Sequence, residues 1–545
     1  MNTSRQRPAL DLPAYSLLSP DARQTTTLPD TGWVRDLGLE SFIPAFAHDS
    51  NYVVTLRGIL SNLNTDPAVI AWRQAALTDF WQSPALVETV AQLLPRLADL
   101  RIGNRMLGRQ KRALLLEVAD RIDELENYLH IVTDLHNALT TAPIRSAALI
   151  GLRERLTIIM NDENFKALRA EIPELQRPLR KLASATFAIN LDENMHPLSV
   201  VLLGIHDRPF SAPRSFLARL IGPNEEADEA GIAPLHFTPE QREQRPLSPL
   251  FQDLDNLMTQ AITPVSRALN RYMRISAAPL AGLEQELAFY LSGVRLGKVL
   301  QAAGVPICLP EIAPPEARIS RIEGLVNLNL ALKRADPLVA NDAYFDDTGR
   351  IAILTGPNSG GKTTYLQAVG LAHAFFAAGL FIPAKAATIS PPDAILTHFP
   401  ALETQQEGRL AEEAARLRSV FLSASDRSLV LLNESLSSTI AGEALYLAHD
   451  VLCALRAIGV RAIYATHLID LAERLDDVHN AIEGPSTLFS LVAGVRFTDD
   501  SPDAAPLPTF QITRGRPMGR GYAREIARRH GISLEQIMAA RQAPR

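Results

Sequence analysis

The chain has 545 residues, of which 47% are hydrophobic and 21% are charged, and its formal net charge is -6. This length exceeds what a single hydrophobic core supports, so we expect at least two or three domains. The composition is that of a globular protein and excludes a largely disordered chain. The acidic balance argues against a protein that binds nucleic acid over its whole surface, although it permits a local basic patch.

The sequence carries no signal for a membrane or for an oxidising compartment. It contains no uncharged apolar run of about 18 residues, and its N-terminus has no apolar core of the signal-peptide type. We therefore expect a cytoplasmic protein with no membrane partner. The two cysteines, Cys308 and Cys453, lie far apart in apolar surroundings, which favours buried thiols over a disulfide or a cysteine-ligated metal.

The first half of the chain has a helical pattern. Residues 1–32 show no periodicity and are predicted to form a flexible arm. From residue 33 to 330 we predict a helical region of core, lever and clamp-like elements. Pro67 and Pro84 stand at predicted helix starts, and apolar residues recur at three- and four-residue steps between 105 and 139.

Two segments interrupt this helical pattern. Near residues 184–206, apolar runs flank a turn of Asp, Asn and Pro, which predicts a small β element. Near 209–247 the chain is rich in Pro, Glu and Gln and is predicted to be a loop or a partly disordered insertion. After residue 330, strands and helices alternate, which predicts an α/β domain over 331–510 with a mostly parallel sheet.

The stretch with the clearest chemistry is residues 351–365, where a short apolar strand leads through a glycine-rich turn into a helix. The glycines let backbone N–H groups point towards a phosphate, and the helix N-terminus adds its positive end. Lys362 is placed to reach the β- and γ-phosphates, and the Thr363 hydroxyl to ligate Mg²⁺. A decayed loop that binds no nucleotide is the alternative. The residues predicted to contact the nucleotide are Gly356, Pro357, Asn358, Ser359, Gly360, Gly361, Lys362, Thr363 and Thr364.

A second apolar strand ends in Asn433 and Glu434. A carboxylate at this place can orient the attacking water, and the residue before it, usually Asp, holds the Mg²⁺ shell. The amide of Asn433 can accept a hydrogen bond from a metal-bound water but carries no charge. We therefore predict catalysis by Glu434, with reduced Mg²⁺ affinity or turnover. A solvent-facing structural role for Glu434 is the alternative.

A third apolar strand, residues 460–465, is followed by Thr466 and His467. A single histidine at a strand end is compatible with a structural role or with sensing of the γ-phosphate. The position of His467 in line with the other two strand ends favours the sensor.

Together these motifs resemble the ATPase of the MutS family of DNA mismatch repair proteins. The similarity rests on the inner Pro357–Asn358 of the loop and on the strand ends at Glu434 and His467, and it extends to residues 339–342 and 521–532. It implies an ATPase that uses ATP and Mg²⁺.

The resemblance covers residues 335–545 closely and the helical region in architecture only. It implies a mixed fold, in which a long α-helical N-terminal body of core and levers precedes an α/β P-loop ATPase domain of the ABC type at 331–510. A small helical dimerisation element follows at 511–545. The implied residue roles are catalysis by Glu434, switching by His467, contact of Asn358 with the γ-phosphate, contact of Leu338 and Val339 with the adenine, and Mg²⁺ binding by Thr363 and, through water, Asn433.

Two departures from the family pattern stand out. In the family, a Ser-Thr-Phe signature at a helix N-terminus completes the partner subunit's nucleotide site, whereas the corresponding stretch here carries Gly408 and Arg409. Backbone contacts can survive this change, but the serine hydroxyl contact cannot. We also expect the chain to begin directly with the helical core, without the family's mispair-reading N-terminal domains, and to lack the nuclease-like tail of another branch.

Double-stranded DNA, mismatched or branched, is the partner that the resemblance implies. The helical arms of a homodimer would enclose it, and a downstream repair protein would be a further partner. Two basic clusters are candidates for phosphate contacts. A solvated helix face is the alternative for both clusters, since acidic residues directly follow the first. The clusters are Arg101, Arg105, Arg109, Lys111 and Arg112, and Arg514, Arg516, Arg520, Arg524, Arg528 and Arg529.

A second function is compatible with the same residues. Asn433 and Gly408 favour a nucleotide-switched binding protein that hydrolyses ATP weakly and acts on branched DNA, RNA, the ribosome or a protein partner. The steady-state rate of ATP hydrolysis distinguishes this switch from the DNA-binding ATPase.

Overall fold

The computed structural model shows a mixed protein of long helices and α/β layers. The predicted insertion at 209–247 and most of the C-terminal element lie outside the residues it describes. No helix within the described residues is long and apolar enough to cross a membrane. The structure describes residues 15–21, 32–106, 114–180, 184–193, 197–206, 208, 265–269, 272, 278–333, 338–400, 409–436, 441–497, 506–517 and 536–538.

Helices make up most of the described N-terminal half. The α-helices along the whole described chain, apart from three helical residues at 536–538, are α1 (Trp33–Asp36), α2 (Leu39–Phe46), α3 (Val53–Ser61), α4 (Pro67–Gln82), α5 (Pro84–Met106), α6 (Leu114–Thr141), α7 (Ala147–Asn161), α8 (Glu163–Arg180), α9 (265–269), α10 (Ala278–Ala302), α11 (Leu328–Leu332), α12 (Lys362–Ala377), α13 (Arg409–Ser423), α14 (Ala441–Ile458), α15 (Ile469–Glu473) and α16 (Leu475–Ala481). The predicted helix start at Pro67 is confirmed, because the Asp66 carboxylate caps α4 by accepting the Ala68 N–H at 2.8 Å.

The described strands form three sheets. They are β1 (Ser184–Leu191), β2 (Pro197–His206), β3 (Glu311–Ile312), β4 (Ser320–Leu325), β5 (Asn341–Phe345), β6 (Ile351–Thr355), β7 (Ala386–Ile389), β8 (Ile395–His398), β9 (Leu429–Asn433), β10 (Arg461–Ala465), β11 (Leu488–Phe497) and β12 (Pro506–Arg514). The largest sheet has the order β12-β11-β6-β10-β9-β8 and is parallel except for β12, which runs antiparallel to β11. The predicted domain boundary at residue 510 therefore falls inside this edge strand.

Central strands of this sheet are buried on both faces. Every residue of β6, β9 and β10 is buried, as expected for continuous apolar strands in a parallel sheet. These are the three strands that the sequence predicted before the phosphate loop, before Glu434 and before His467. A smaller sheet of order β3-β7-β4-β5 belongs to the same part of the chain.

One compact unit consists of residues 1–13, 92–141 and 153–284. Within it, β1 and β2 form an antiparallel hairpin, at the place where the sequence predicts a small β element near 184–206. The predicted apolar face of α6 is also buried. Its buried residues are Val118, Ile122, Leu125, Leu129 and Val132.

The other compact unit consists of residues 14–91, 142–152 and 285–545. It holds the first four helices together with both larger sheets, whereas the sequence predicted a domain boundary near residue 330. The reason is aromatic packing. The rings of Phe42 and Phe46 on α2 lie 5.7 and 6.0 Å from the ring of Phe375 on α12, which starts at the phosphate loop.

The N-terminal arm is anchored where the structure describes it, at residues 15–21. Leu17 is fully buried, and its carbonyl accepts hydrogen bonds from Trp72 Nε1 at 2.9 Å and from the Tyr290 hydroxyl at 2.6 Å. Its N–H donates to the Glu286 carboxylate at 2.6 Å. The prediction of a flexible arm does not hold for these residues, because their backbone groups are paired with distant helices. The other arm residues up to 31 lie outside the described part of the chain.

We expect Leu17→Ala to lower the free energy of unfolding by about 2–5 kcal/mol, because it removes a fully buried side chain and leaves a cavity. Leu422→Ala is the matched control, since Leu422 is 70% exposed and should change the free energy by less than about 0.5 kcal/mol. Urea denaturation followed by circular dichroism measures both. If Leu17→Ala changed the free energy of unfolding as little as Leu422→Ala does, residues 15–21 would not be packed against the helices in solution.

Candidate functional site

Three strand ends meet at one edge of the six-stranded sheet. β10 lies between β6 and β9 and runs parallel to both, with Ala465 opposite Leu354 on one side and Asn433 on the other. The residues that follow these strands therefore emerge side by side. In this way the structure brings together the glycine-rich loop after β6, Glu434 after β9 and His467 after β10.

The glycine-rich loop has a backbone that only some residues can adopt. Gly356 has φ 143° and Gly361 has φ 90°, while Ser359 adopts φ 64°. A Cβ on Gly356 would lie 2.6 Å from the Cβ of Ala493, so this position also excludes a side chain sterically. Gly361 is the N-cap of α12, which places the positive end of that helix at the loop.

Lys362 is held inside this loop. Its ammonium donates hydrogen bonds to the carbonyls of Gly356 at 3.0 Å and Pro357 at 3.1 Å, and it lies 4.0 Å from Glu434 Oε1. Only 4% of the side chain is exposed. Burial lowers the pKa of Lys362, and the nearby Glu434 carboxylate partly opposes this shift.

Glu434 stands between Lys362 and His467. Its Oε1 lies 2.8 Å from His467 Nε2, and both side chains remain partly open to solvent. Its backbone has φ 49°, and its N–H donates to the carbonyl of Ala465 at 2.8 Å. This contact with β10 turns the chain so that the carboxylate faces the phosphate loop, and a non-glycine residue keeps such a backbone only where its surroundings enforce it.

Thr363 and Asn433, the two residues predicted to bind Mg²⁺, contact each other. The Thr363 hydroxyl donates to Asn433 Oδ1 at 3.3 Å, and Asn433 is buried. A hydroxyl and an amide oxygen at this separation are oxygen donors of the kind that Mg²⁺ binds directly or through its waters. The residues present therefore fit the ion, although the pair contributes no negative charge.

A cavity of about 380 Å³ opens beside the loop. Leu338 and Val339, which the family resemblance places beside the adenine, line this cavity together with the loop residues and Glu434. The residues that form the rest of the cavity lining were not predicted from the sequence. The lining residues are Leu325, Val326, Asn327, Leu330, Leu338, Val339, Asn341, Asn358, Ser359, Gly360, Gly361, Lys362, Thr363, Thr364, Tyr365, Ala368, Glu434 and Phe510.

Phe510 is the most informative of the residues that the sequence did not identify. It lies on β12 with φ 59°. Its ring lies beside Gly361 of the loop, since a Cβ added to that glycine would lie only 3.4 Å from the ring. Asn341 holds it in place, since its Nδ2 donates to the Phe510 carbonyl at 3.0 Å and its Oδ1 accepts the Ile512 N–H at 2.7 Å. Phe510 thus adds an aromatic side chain to the cavity lining from a strand about 170 positions away from Leu338, for which the sequence offered no signal.

Other predicted site residues are only partly described. Gly408 lies outside the described residues, and Arg409 is the first residue of α13. In the basic clusters, Arg101 forms an ion pair with Glu284, so its charge is already engaged. Arg514 stacks 4.1 Å above the Phe489 ring. Most of the other cluster residues lie outside the described part of the chain.

Comparison with known families agrees with this geometry. The model of the MutS2 N-terminal domain matches residues 65–303, and that of MutS domain V matches residues 352–489. The second match starts in β6 and ends in β11, so it includes the loop, Glu434 and His467.

Individual relatives cover parts of the chain. The DNA mismatch repair protein MutS of Chlorobium phaeobacteroides is 29% identical over 244 residues, 43% of this chain and 26% of the relative. The endonuclease MutS2 of Thermus thermophilus is 33% identical over 204 residues, 37% of this chain and 26% of the relative. The endonuclease MutS2 of Thermomicrobium roseum is 30% identical over 312 residues, 53% of this chain and 37% of the relative. The matches thus span about a quarter to a little over a third of these relatives. With both domain models matched along the chain and the loop, carboxylate and histidine gathered at one sheet edge, the chain belongs to the MutS family.

Proposed function

We propose that this protein is a DNA-binding ATPase that uses ATP and Mg²⁺ in DNA repair or recombination. The observation that carries the proposal is the convergence of Lys362, Glu434 and His467 at one edge of the sheet, beside a cavity of about 380 Å³. The domain matches and the names of the relatives, mismatch repair proteins and endonucleases, support the DNA partner. We further propose a homodimer in which ATP binding and hydrolysis move helical arms around DNA, with the stretch at Gly408 and Arg409 contributing to the partner subunit's site.

The phosphate chain would lie along the loop from Gly356 to Lys362. The loop amides and the N-terminus of α12 would bind the phosphate oxygens, and Lys362 would exchange its carbonyl partners for them. Mg²⁺ bound near Thr363 and Asn433 would supply positive charge to the phosphates. The base would lie in the apolar half of the cavity, between Leu338, Val339 and Phe510.

Glu434 has the geometry of a water-orienting carboxylate. It can accept a hydrogen bond from a water placed in line with the terminal phosphate, while His467 donates to its Oε1 and keeps it turned towards the cavity. Lys362, 4.0 Å from the same oxygen, attracts the carboxylate and holds it close to the loop. Hydrolysis then depends on the position of Glu434 as much as on its charge.

A slow nucleotide switch remains the second candidate, and Asn433 is the observation that favours it. Its neutral amide faces Thr363 where the family usually has a carboxylate. A metal shell without that charge binds Mg²⁺ more weakly. In this function, the bound nucleotide would set the conformation of the helical arms, and its hydrolysis would be slow.

Glu434→Ala should lower the rate of ATP hydrolysis by about 100-fold or more, because it removes the group that orients the attacking water. The affinity for ATP should stay within about twofold, since the loop is unchanged. Steady-state phosphate release and equilibrium binding of a fluorescent ATP analogue measure the two effects. Glu163→Ala is the control, because the Glu163 side chain is 88% exposed. A wild-type protein no faster than Glu434→Ala would exclude the enzyme and leave the switch.

Asn433→Asp should raise the affinity for Mg²⁺ and increase hydrolysis, because it adds a negative charge beside the Thr363 hydroxyl. A titration of hydrolysis rate against Mg²⁺ concentration should show half-saturation at a lower concentration, by about tenfold for a gain of 1.4 kcal/mol. Asn51→Asp adds the same charge at an exposed position and should leave the titration unchanged. Identical Mg²⁺ dependence in both variants and the wild type would contradict a metal role for Asn433.

DNA binding should depend on the nucleotide. We expect affinity for duplex DNA to differ between the ATP-bound and nucleotide-free protein, and Lys362→Ala to remove this difference, because it weakens ATP binding at the loop. Fluorescence anisotropy with homoduplex, mismatched and branched DNA at several salt concentrations measures it. Equal affinity for all three would exclude mismatch recognition, and tighter binding of branched DNA would favour recombination. No binding to any of the three would remove DNA as the partner.

A further inference from the structure

The turn that carries Glu434 has an unusual backbone. Glu434 and Leu436 both have positive φ, at 49° and 67°, and neither is a glycine. Ser435 lies between them and is buried. Backbone of this kind persists only where neighbouring groups hold it, and it clusters at functional sites. The contacts of Ser435 therefore show what keeps Glu434 in place.

Two buried side chains hold Ser435. The Tyr464 hydroxyl donates to its carbonyl at 3.0 Å, and His398 Nδ1 lies 2.7 Å from its Oγ. His398 is the last residue of β8, the parallel neighbour of β9, and is 1% exposed. Burial above all, with Arg416 adding to it, lowers the pKa of His398 to about 4, so the ring is neutral at physiological pH.

His398 also faces the helix beyond the sheet. On α13, Arg416 donates from Nη2 to the carbonyl of Phe399, the residue after His398, at 3.0 Å. Before it, the Thr397 hydroxyl donates to Asp36 at 2.8 Å. The end of β8 is thus fixed on both sides of His398, which makes the ring a rigid support for Ser435.

We propose that His398 is a positioning residue for Glu434, acting through the hydrogen bond to Ser435. This inference rests on the proposed ATP hydrolysis. Glu434 Oε1 lies 2.8 Å from His467 Nε2 and 4.0 Å from Lys362 Nζ, and a shift of about 1 Å in a catalytic group is enough to lower a rate strongly. Without the contact to His398, the turn relaxes and the carboxylate moves away from the attacking water. Neither His398 nor Ser435 lines the cavity beside the loop, so we expect nucleotide binding to be unaffected.

The structure provides a matched control for this hydrogen bond. Ser320 Oγ lies 2.9 Å from His373 Nε2, and both residues are fully buried in the same compact unit. Ser320→Ala therefore deletes the same type of contact without touching the turn at Glu434. Ser435→Ala and His398→Leu delete the contact at the turn, whereas His398→Asn places an amide close to the position of Nδ1 and retains it.

Ser435→Ala and His398→Leu should lower kcat about tenfold or more while the dissociation constant for ATP stays within about twofold. His398→Asn should recover most of the rate, and Ser320→Ala should leave kcat unchanged with a similar loss in melting temperature. The proposal is overturned if the two variants at the turn weaken ATP binding by the same factor as they lower kcat. It is also overturned if Ser320→Ala lowers kcat as much as they do, because either result shows a structural role only.

A spectroscopic readout separates this proposal from the ATPase itself. In protein labelled with ¹⁵N-histidine, the ring signal of His467, identified by its loss in His467→Gln, reports its contact with Glu434. We expect this signal to shift in Ser435→Ala and to stay in place in Ser320→Ala. An unshifted signal in Ser435→Ala overturns the positioning role. If the wild type hydrolyses ATP no faster than Glu434→Ala, the proposed enzyme function fails, whereas the His467 signal still tests whether His398 and Ser435 position Glu434.

Discussion

The parallel pairing of β6, β10 and β9 is the constraint on which the site depends. Because Ala465 aligns with Leu354 and with Asn433, the three chains leave the sheet at the same level. Lys362, Glu434 and His467 then lie close together, although the first and the last of them are more than 100 positions apart in sequence. Complete burial of these strands stabilises their register, since a slip would expose apolar residues and break the ladder.

The site holds its charges in a balanced arrangement. Lys362 is buried but has two backbone carbonyls and the Glu434 carboxylate as neighbours, which offset the cost of burying an ammonium group. Glu434 in turn has Lys362 on one side and His467 on the other. Beside them, Thr363 and Asn433 contribute two oxygens without a charge. The charged groups of the site are therefore Lys362, Glu434 and, when protonated, His467, and Thr363 and Asn433 add none.

Elements far from the motifs complete and support the site. Phe510 closes the cavity from the antiparallel edge strand and is held there by Asn341. The rings of Phe42 and Phe46 pack on the helix that begins at Lys362. The first four helices are thus part of the compact unit that holds this site, which gives a physical route by which changes at the site can reach them. Such coupling requires that the packed elements have two arrangements.

The sequence by itself determined the phosphate loop, the Glu434 and His467 strand ends, the family and the long helical segments. These depend on spacing within about 15 residues and on apolar periodicity, which are local properties of the chain. Only the tertiary structure decided the role of Phe510, the anchoring of Leu17, the support of Ser435 by His398 and the grouping of the first helices with the sheet. Each of these depends on contacts across tens to hundreds of residues. Periodicity shows which face of an element is buried but not which distant element covers it.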